Sequence, residues 1–400
     1  VGDDNAEPFR IHIDDDRLAD IRTRLERFRD VPAIGPETWD TGVPASSLRK
    51  LIDFWLKEYE WRDVERRLNG LSHYKATVDG VPIHFVHHRG RGPHPVPLIL
   101  THGWPWTFYD YVGLIGPLTD PQAYGGDPAD SFDVVIPSLP GFAFSAPLTS
   151  PDLNYWETAD LWVKLMSDVL GYPRFAAHGG DMGAMLTSQL AHRHSDSLIG
   201  IHTIGALPPM AFNVDRPWAD VTGGVTEGLD PSERSVGVAF ERRFVAHIGV
   251  QALAPTTLSH AFSDTPAGLA AWLVEPRYRW SDCDGDVEKC FSLEYLITTV
   301  MLYAATDSFP SAVRYYANAW RNQWAPSHDR QPMMEAPAGI TWFAHDRPPG
   351  QLAELASSLF NVVYTNTHPR GGHFAPAEQP DAVIGDIRAT FRPLRARPTA

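Results

Sequence analysis

Apolar side chains recur at helical spacing through Leu18, Ile21, Leu25 and Phe28, which predicts a helix over Asp14–Arg29. Asp15 and Asp16 favour its start, because acids suit the positive end of a helix dipole. Leu48, Leu51, Ile52, Trp55 and Leu56 predict a second helix over Ala45–Tyr59. HYKATVDGVPIHFVHHRG then reads as a hairpin turning at Asp79-Gly80. From Val96 onward short apolar runs alternate with helical patterns: VPLILTHG and a helix near 107–118, DVVIPSLPG and a helix over 155–170, RFAAHGGD and a helix over 182–195, then LIGIHTIG. Such alternation implies a mostly parallel sheet flanked by helices, an α/β class.

The alternation stops near residue 211. Residues 211–330 are largely helical in pattern, with no convincing strand. It resumes with GITWFAHD, a helix over 350–359, NVVYTNTH and a last helix near 377–392. A helical insert between strands of one sheet is expected to form a lid. The chain thus divides into an N-terminal meander with the first strands (1–95), a first part of the core (96–210), the helical lid (211–330) and a second part of the core (331–400).

Composition narrows the function. Of 400 residues, 43% are apolar and 21% charged, as in globular proteins. Thirteen Trp and 19 Phe can fill a core and also line a pocket. A net charge of −15 without a Lys/Arg block argues against nucleic-acid and anionic-membrane partners. No apolar run is long enough for a spanning helix. The acidic start VGDDNAEPF lacks a signal-peptide layout, so the expected location is cytoplasmic. Cys283 and Cys290 have the wrong spacing for a zinc knuckle and read as incidental thiols. Asp282, Asp284 and Asp286 look superficially like a calcium loop, but the required Gly is missing and Leu293 stands where the closing Glu should be. Neither a metal nor a cofactor is expected.

Four motifs carry the chemistry. His178-Gly179-Gly180-Asp181-Met182-Gly183 joins an apolar run to a helical pattern. That is the layout of a nucleophile elbow, with small residues two before and two after the nucleophile. A carboxylate nucleophile suits an electrophilic sp3 carbon, because the alkyl ester it forms can be hydrolysed. The plainer alternative makes Asp181 a cap for the following helix. His102-Gly103-Trp104-Pro105 follows a strand, where Trp104 and Met182 would supply the N–H groups of an oxyanion hole. Gly371-Gly372-His373-Phe374 follows the last strand and offers His373 as base; Asp346, ending GITWFAHD, offers its acid partner.

With these motifs in that order the chain resembles the microsomal-type epoxide hydrolases, a family of the α/β-hydrolase fold. The resemblance covers nearly the whole chain, including WDTGVPASSLRKLIDFW, YEWRDVERRLN, HGWPWTFYD, VVIPSLPGFAFS, HGGDMG, TPAGLAAWLVE, WSDCDGDVE and GGHFAPAEQPD. It implies hydrolysis of an epoxide to a vicinal diol through a covalent ester. Two lid tyrosines hold the epoxide oxygen in this family. Arg314-Tyr315-Tyr316 matches one and gives Tyr316; the other is replaced by His247, which precedes Gln251. His247 is therefore the candidate second donor, and if cationic it would raise activity below about pH 6.5. A surface or packing role for His247 stands beside that reading.

The implied partners are a small-molecule epoxide and water, with a homo-oligomer left open. The aromatic-rich lid suggests a bulky apolar substrate, from detoxification or secondary metabolism. A haloalkane dehalogenase is one rival, although Met182 and Trp104 replace the Trp and Asn that similar enzymes use for halide. A ligand-binding protein that has lost its chemistry is the other.

Overall fold

The computed structural model describes residues 6–213, 230–348 and 352–395. Residues 214–229 of the expected lid, the first two of the expected helix over 350–359, and the acidic residues 1–5 lie outside these. Among the described residues nine strands form one sheet: β1 (Glu7–Phe9), β2 (His73–Val78), β3 (Val81–His88), β4 (Val96–Thr101), β5 (Phe132–Pro137), β6 (Phe175–Gly179), β7 (Leu198–Ile204), β8 (Met334–Phe343) and β9 (Phe360–His368). Their spatial order is β1-β2-β3-β5-β4-β6-β7-β8-β9. From β5 to β9 every pairing is parallel, whereas β1, β2 and β3 join antiparallel at one end.

The central strands are apolar along their length because helices cover both faces. All residues of β5 and β6 are buried. The helices are α1 (Asp15–Glu26), α2 (Ala45–Lys57), α3 (Trp61–Leu68), α4 (Val112–Thr119), α5 (Tyr155–Lys164), α6 (Met182–Arg193), α7 (Pro231–Glu241), α8 (Val245–Leu253), α9 (Pro255–Asp264), α10 (Pro266–Trp280), α11 (Leu293–Ala304), α12 (Phe309–Arg321), α13 (Leu352–Ser357), α14 (Ala375–Glu378) and α15 (Pro380–Phe391). Helices α7 to α12 form the insert between β7 and β8, which contains no strand among its described residues.

Several elements differ in detail from expectation. The segment near 107–118 begins as a tight turn over Phe108–Tyr111, before α4. Thr107 and Asp110 cap it reciprocally: the Thr107 hydroxyl accepts the Tyr109 N–H at 3.1 Å, and Asp110 accepts the Thr107 N–H at 3.0 Å. The last helix is split because Pro380 disfavours helical geometry at Gln379. Helix α3 has no counterpart in the apolar pattern; its Trp61, Val64 and Leu68 are buried, but charged residues occupy most other positions.

The first 70 residues position the insert. Helices α1 and α2 pack on α10, and α2 also packs on α11. Ile21, Leu25, Leu51, Ile52 and Trp55 are buried there. A buried ion pair joins insert and core: Arg277 of α10 with Asp110, both almost wholly inaccessible. Arg277 donates to the two Asp110 oxygens at 2.6 and 3.2 Å, and Tyr295 donates to Asp110 at 2.9 Å. The guanidinium also lies 3.9 Å from the Phe374 ring centroid, one residue past His373. Removing one member of such a pair leaves a buried charge without its partner. Arg277→Met is therefore expected to cost about 3–5 kcal/mol in denaturant unfolding, and Arg277→Met with Asp110→Asn to recover much of it. Equal losses in the single and double variants would remove the pair from the energetics of the fold.

Candidate active site

Asp181 follows β6 in a sharp turn and carries a backbone φ of +54°. A non-glycine residue in that region is strained, as an elbow requires. The turn is possible because its neighbours are small. A Cβ on Gly183 would lie 1.9 Å from the Thr101 carbonyl oxygen, so glycine lets α6 start hard against β4. A Cβ on Gly103 would fall 2.0 Å from Asp181 Oδ1, so glycine there admits the carboxylate.

The Asp181 side chain makes no capping bond to its helix. Oδ1 accepts the Trp104 backbone N–H at 2.8 Å, and the Met182 N–H also binds the carboxylate. Oδ2 lies 3.1 Å from His373 Nε2, and His373 Nδ1 lies 3.1 Å from Asp346 Oδ2. Residues far apart in sequence thus meet at the carboxyl ends of β4, β6, β8 and β9. Aromatic rings enclose them. Trp106 stands edge-on to the His373 ring at 5.6 Å, Trp280 lies at 5.0 Å and Phe244 at 5.8 Å.

Charge is held here against burial. Burial raises the Asp181 carboxyl, but the His373 hydrogen bond and charge, with the Met182 and Trp104 N–H groups, outweigh it and bring it below its ordinary value. Burial likewise pushes His373 down, yet the Asp346 charge and the bonds to both carboxylates hold it at about 10. At neutral pH the unliganded site therefore contains an imidazolium between two carboxylate groups.

Tyr316 of α12 and His247 of α8 meet above this centre. His247 Nε2 and the Tyr316 hydroxyl are 3.1 Å apart. The His247 ring stacks on the Trp104 indole, centroids 4.9 Å apart, while Tyr316 stands perpendicular to that indole at 6.1 Å. The residue whose N–H holds Asp181 therefore also carries both insert side chains. Burial, then the charge of Asp181, raises the Tyr316 phenol well above its ordinary value, so it stays protonated. For His247 the expected gain in activity below pH 6.5 is corrected. Burial drives its pKa down to about 3, past the opposing pull of Asp181, so the ring is neutral across the working range. His247 is buried, which also removes the surface alternative.

No group of His, Cys, Asp or Glu among the described residues is arranged to hold a metal ion. Both cysteines are free thiols. The motifs singled out Asp181, His373, Asp346, Trp104 and Met182, which the structure brings together, but not the groups that fix them. Arg277 and Asp110 are 167 positions apart, and no sequence pattern links them. The Thr-x-x-Asp spacing of Thr107 and Asp110 was the one legible sign that Asp110 is structural. Glu378, beside the base loop, carried no sign beyond its place in GGHFAPAEQPD.

Comparison with known proteins gives the family and the fold. Residues 6–111 match the family model described as epoxide hydrolase N terminus, and residues 96–339 match alpha/beta hydrolase fold. The chain is 36% identical over 392 residues to a Stigmatella aurantiaca protein bearing the provisional name of epoxide hydrolase, covering 98% of this chain and 86% of that protein. Epoxide hydrolase 1 of Oryctolagus cuniculus is 29% identical over 409 residues, covering 96% and 88% of the two chains. The solved structure of Aspergillus niger epoxide hydrolase superposes with a TM-score of 0.78 at 25% identity, covering 98% of this chain and 97% of that one. Among the described residues, no helix is long and apolar enough to cross a membrane.

Proposed function

The chain belongs to the epoxide hydrolases of the α/β-hydrolase fold, and on that footing we propose that it opens its epoxide by forming an ester on Asp181. The observation that carries the reading is the division of labour within one carboxylate. Oδ1 is taken by the Trp104 N–H, and Oδ2 faces His373. A lone pair on Oδ2 attacks a ring carbon. The ring C–O bond breaks, its electron pair stays on oxygen, and Tyr316 supplies the proton. Oδ1 becomes the ester carbonyl oxygen, already against the N–H groups that will stabilise the next charge.

Ester formation removes the Asp181 charge. His373 then keeps only Asp346 as an anionic partner, and its pKa falls. The imidazolium gives up the proton that restores the Tyr316 phenol, which leaves His373 neutral and able to act as base. Neutral His373 takes a proton from water while the water oxygen bonds to the carbonyl carbon. The tetrahedral anion rests on the Trp104 and Met182 N–H groups. Its collapse breaks the bond from the carbonyl carbon to Oδ2. The diol leaves with that oxygen, and the proton of the new carboxylic acid reaches the leaving alkoxide through His373. Charge and protons return to the starting state.

His247 serves Tyr316 rather than the substrate in this reading. A ring N–H binds the Phe244 carbonyl, which leaves Nε2 to accept the Tyr316 O–H at rest and hold the phenol over Trp104; when the epoxide binds, that O–H turns from Nε2 to the epoxide oxygen. Trp104, Trp272 and Trp280 surround the pair, with Trp104 to Trp272 centroids 6.4 Å apart. These walls favour a bulky, apolar epoxide.

Two experiments test the roles. In His373→Gln, mass spectrometry of the intact protein should find the substrate-sized adduct accumulating on Asp181 while diol release nearly stops. Absence of an adduct would contradict the assignment of His373 as the hydrolytic base. Tyr316→Phe should slow adduct formation by at least about tenfold, the usual worth of a positioned acid, whereas His247→Gln, which keeps an acceptor, should cost only a few-fold. Equal losses in the two variants would make His247 a donor in its own right.

A further inference from the structure

Consecutive backbone amides of the loop that carries His373 all bind acceptors outside it. The Gly371 N–H donates to Asp282 Oδ2 at 2.9 Å and the Gly372 N–H to Glu378 Oε2 at 3.0 Å. The His373 N–H donates to the Trp280 carbonyl at 2.9 Å and the Phe374 N–H to Glu378 Oε1 at 2.8 Å. Glu378 Oε2 also accepts the Asp282 N–H at 2.9 Å. One carboxylate thus gathers three N–H groups, two from the base loop and one from the strap between α10 and α11. Loop and strap are in backbone contact: a Cβ on Gly372 would sit 2.5 Å from the Trp280 carbonyl oxygen. The acidic residues of the strap, unsuited to calcium, have a use here. Asp282 also pairs with Arg370 at 2.9 Å, and Asp284 with Arg370 at 3.0 Å.

Resting on the reading of His373 as hydrolytic base, we propose that Glu378 is a positioning residue for ester hydrolysis: ionised, it ties the base loop and the strap to one anchor and so keeps His373 on Asp181 and Asp346. An ionised carboxylate is suited to this because both oxygens accept only. Once protonated, it would aim an O–H at N–H groups, and the clamp would open.

Its protonation falls in a range the enzyme can experience. Burial, helped by the charge of Asp346, pushes the carboxyl up to about 7 against the Asp282 and Phe374 N–H groups and the His373 charge. On the strap it faces Cys283 and Cys290, whose thiols it helps to raise. The Arg370 charge is shared with Asp282 and Asp284, and that of Arg277, across Phe374, is matched by Asp110. In the resting site His373 titrates near 10 and Asp181 below the ordinary carboxyl value; once the ester forms, His373 titrates lower, and its protonation adds an acid limb of its own. The sign follows from a raised carboxyl: the clamp is intact above about pH 7 and is lost as pH falls through it.

Single-turnover kinetics of Glu378→Gln test this. Ester hydrolysis at pH 8 should slow about tenfold, in the range of a misaligned general base, with ester formation changed less than about twofold. Because His373 contributes its own acid limb in both proteins, the ratio of wild-type to variant hydrolysis rates is the readout, and it should shrink toward one as pH falls through about 7. A wild-type hydrolysis rate in the variant at pH 8, or a ratio that stays the same between pH 8 and pH 6, would overturn the proposal. Should Glu378→Gln fail to fold, Asp282→Ala, which frees the Gly371 N–H at the partly exposed strap, should slow ester hydrolysis several-fold and spare ester formation; an unchanged rate there would also overturn it. An absence of ester in the wild type would instead strike the reading of Asp181 itself.

Discussion

A carboxylate nucleophile is useful only while it is charged, and the walls that keep water from the reacting carbon also penalise that charge. As the proposed nucleophile, Asp181 sits at the centre of this conflict. The penalty of burial is offset locally by two backbone N–H groups and an imidazolium. The N–H groups come from the turns after β4 and β6, so they are fixed by the sheet rather than by mobile side chains. The imidazolium is itself buried and depends on Asp346. Removing any one of these supports would leave an uncompensated charge in an apolar site.

On the proposed mechanism, the same arrangement explains why nucleophile and base do not interfere. At rest His373 is a counter-ion and cannot take a proton. In that mechanism, only when the ester has removed the Asp181 charge does the His373 pKa fall far enough for the imidazole to lose its proton and serve as the hydrolytic base. The order of the two steps thus follows from electrostatics within one hydrogen-bonded row. The insert belongs to that row as well. Arg277 joins it to Asp110 and lies on Phe374, and the Trp280 carbonyl receives the His373 N–H. The base is therefore positioned by insert and core together.

Much of this was legible in the chain. Buried parallel strands have near-continuous apolar runs, so β4 to β8 could be read from composition and punctuation, whereas β9 is mostly accessible and was legible from its β-branched residues. The elbow was legible because a strained turn demands small neighbours at fixed offsets, as Gly179 and Gly183 supply. Other features were hidden for physical reasons. Helix α3 buries one stripe of a mostly charged segment, and β1 is held by pairing with β2 rather than by its own pattern. The protonation of His247 could not be read from its identity, since a ring stacked on Trp104 and sealed from water loses its ordinary titration. Contacts such as Asp110 with Arg277 join segments whose sequences bear no mark of each other.

The central claim is that the oxygen first delivered to the diol comes from Asp181 and not from water. A single turnover with enzyme in excess, run in ¹⁸O-labelled water, measures this directly. The account requires unlabelled diol and one ¹⁸O in the peptide containing Asp181. Labelled diol with an unlabelled Asp181 would mean that water attacks the epoxide itself, and would contradict it.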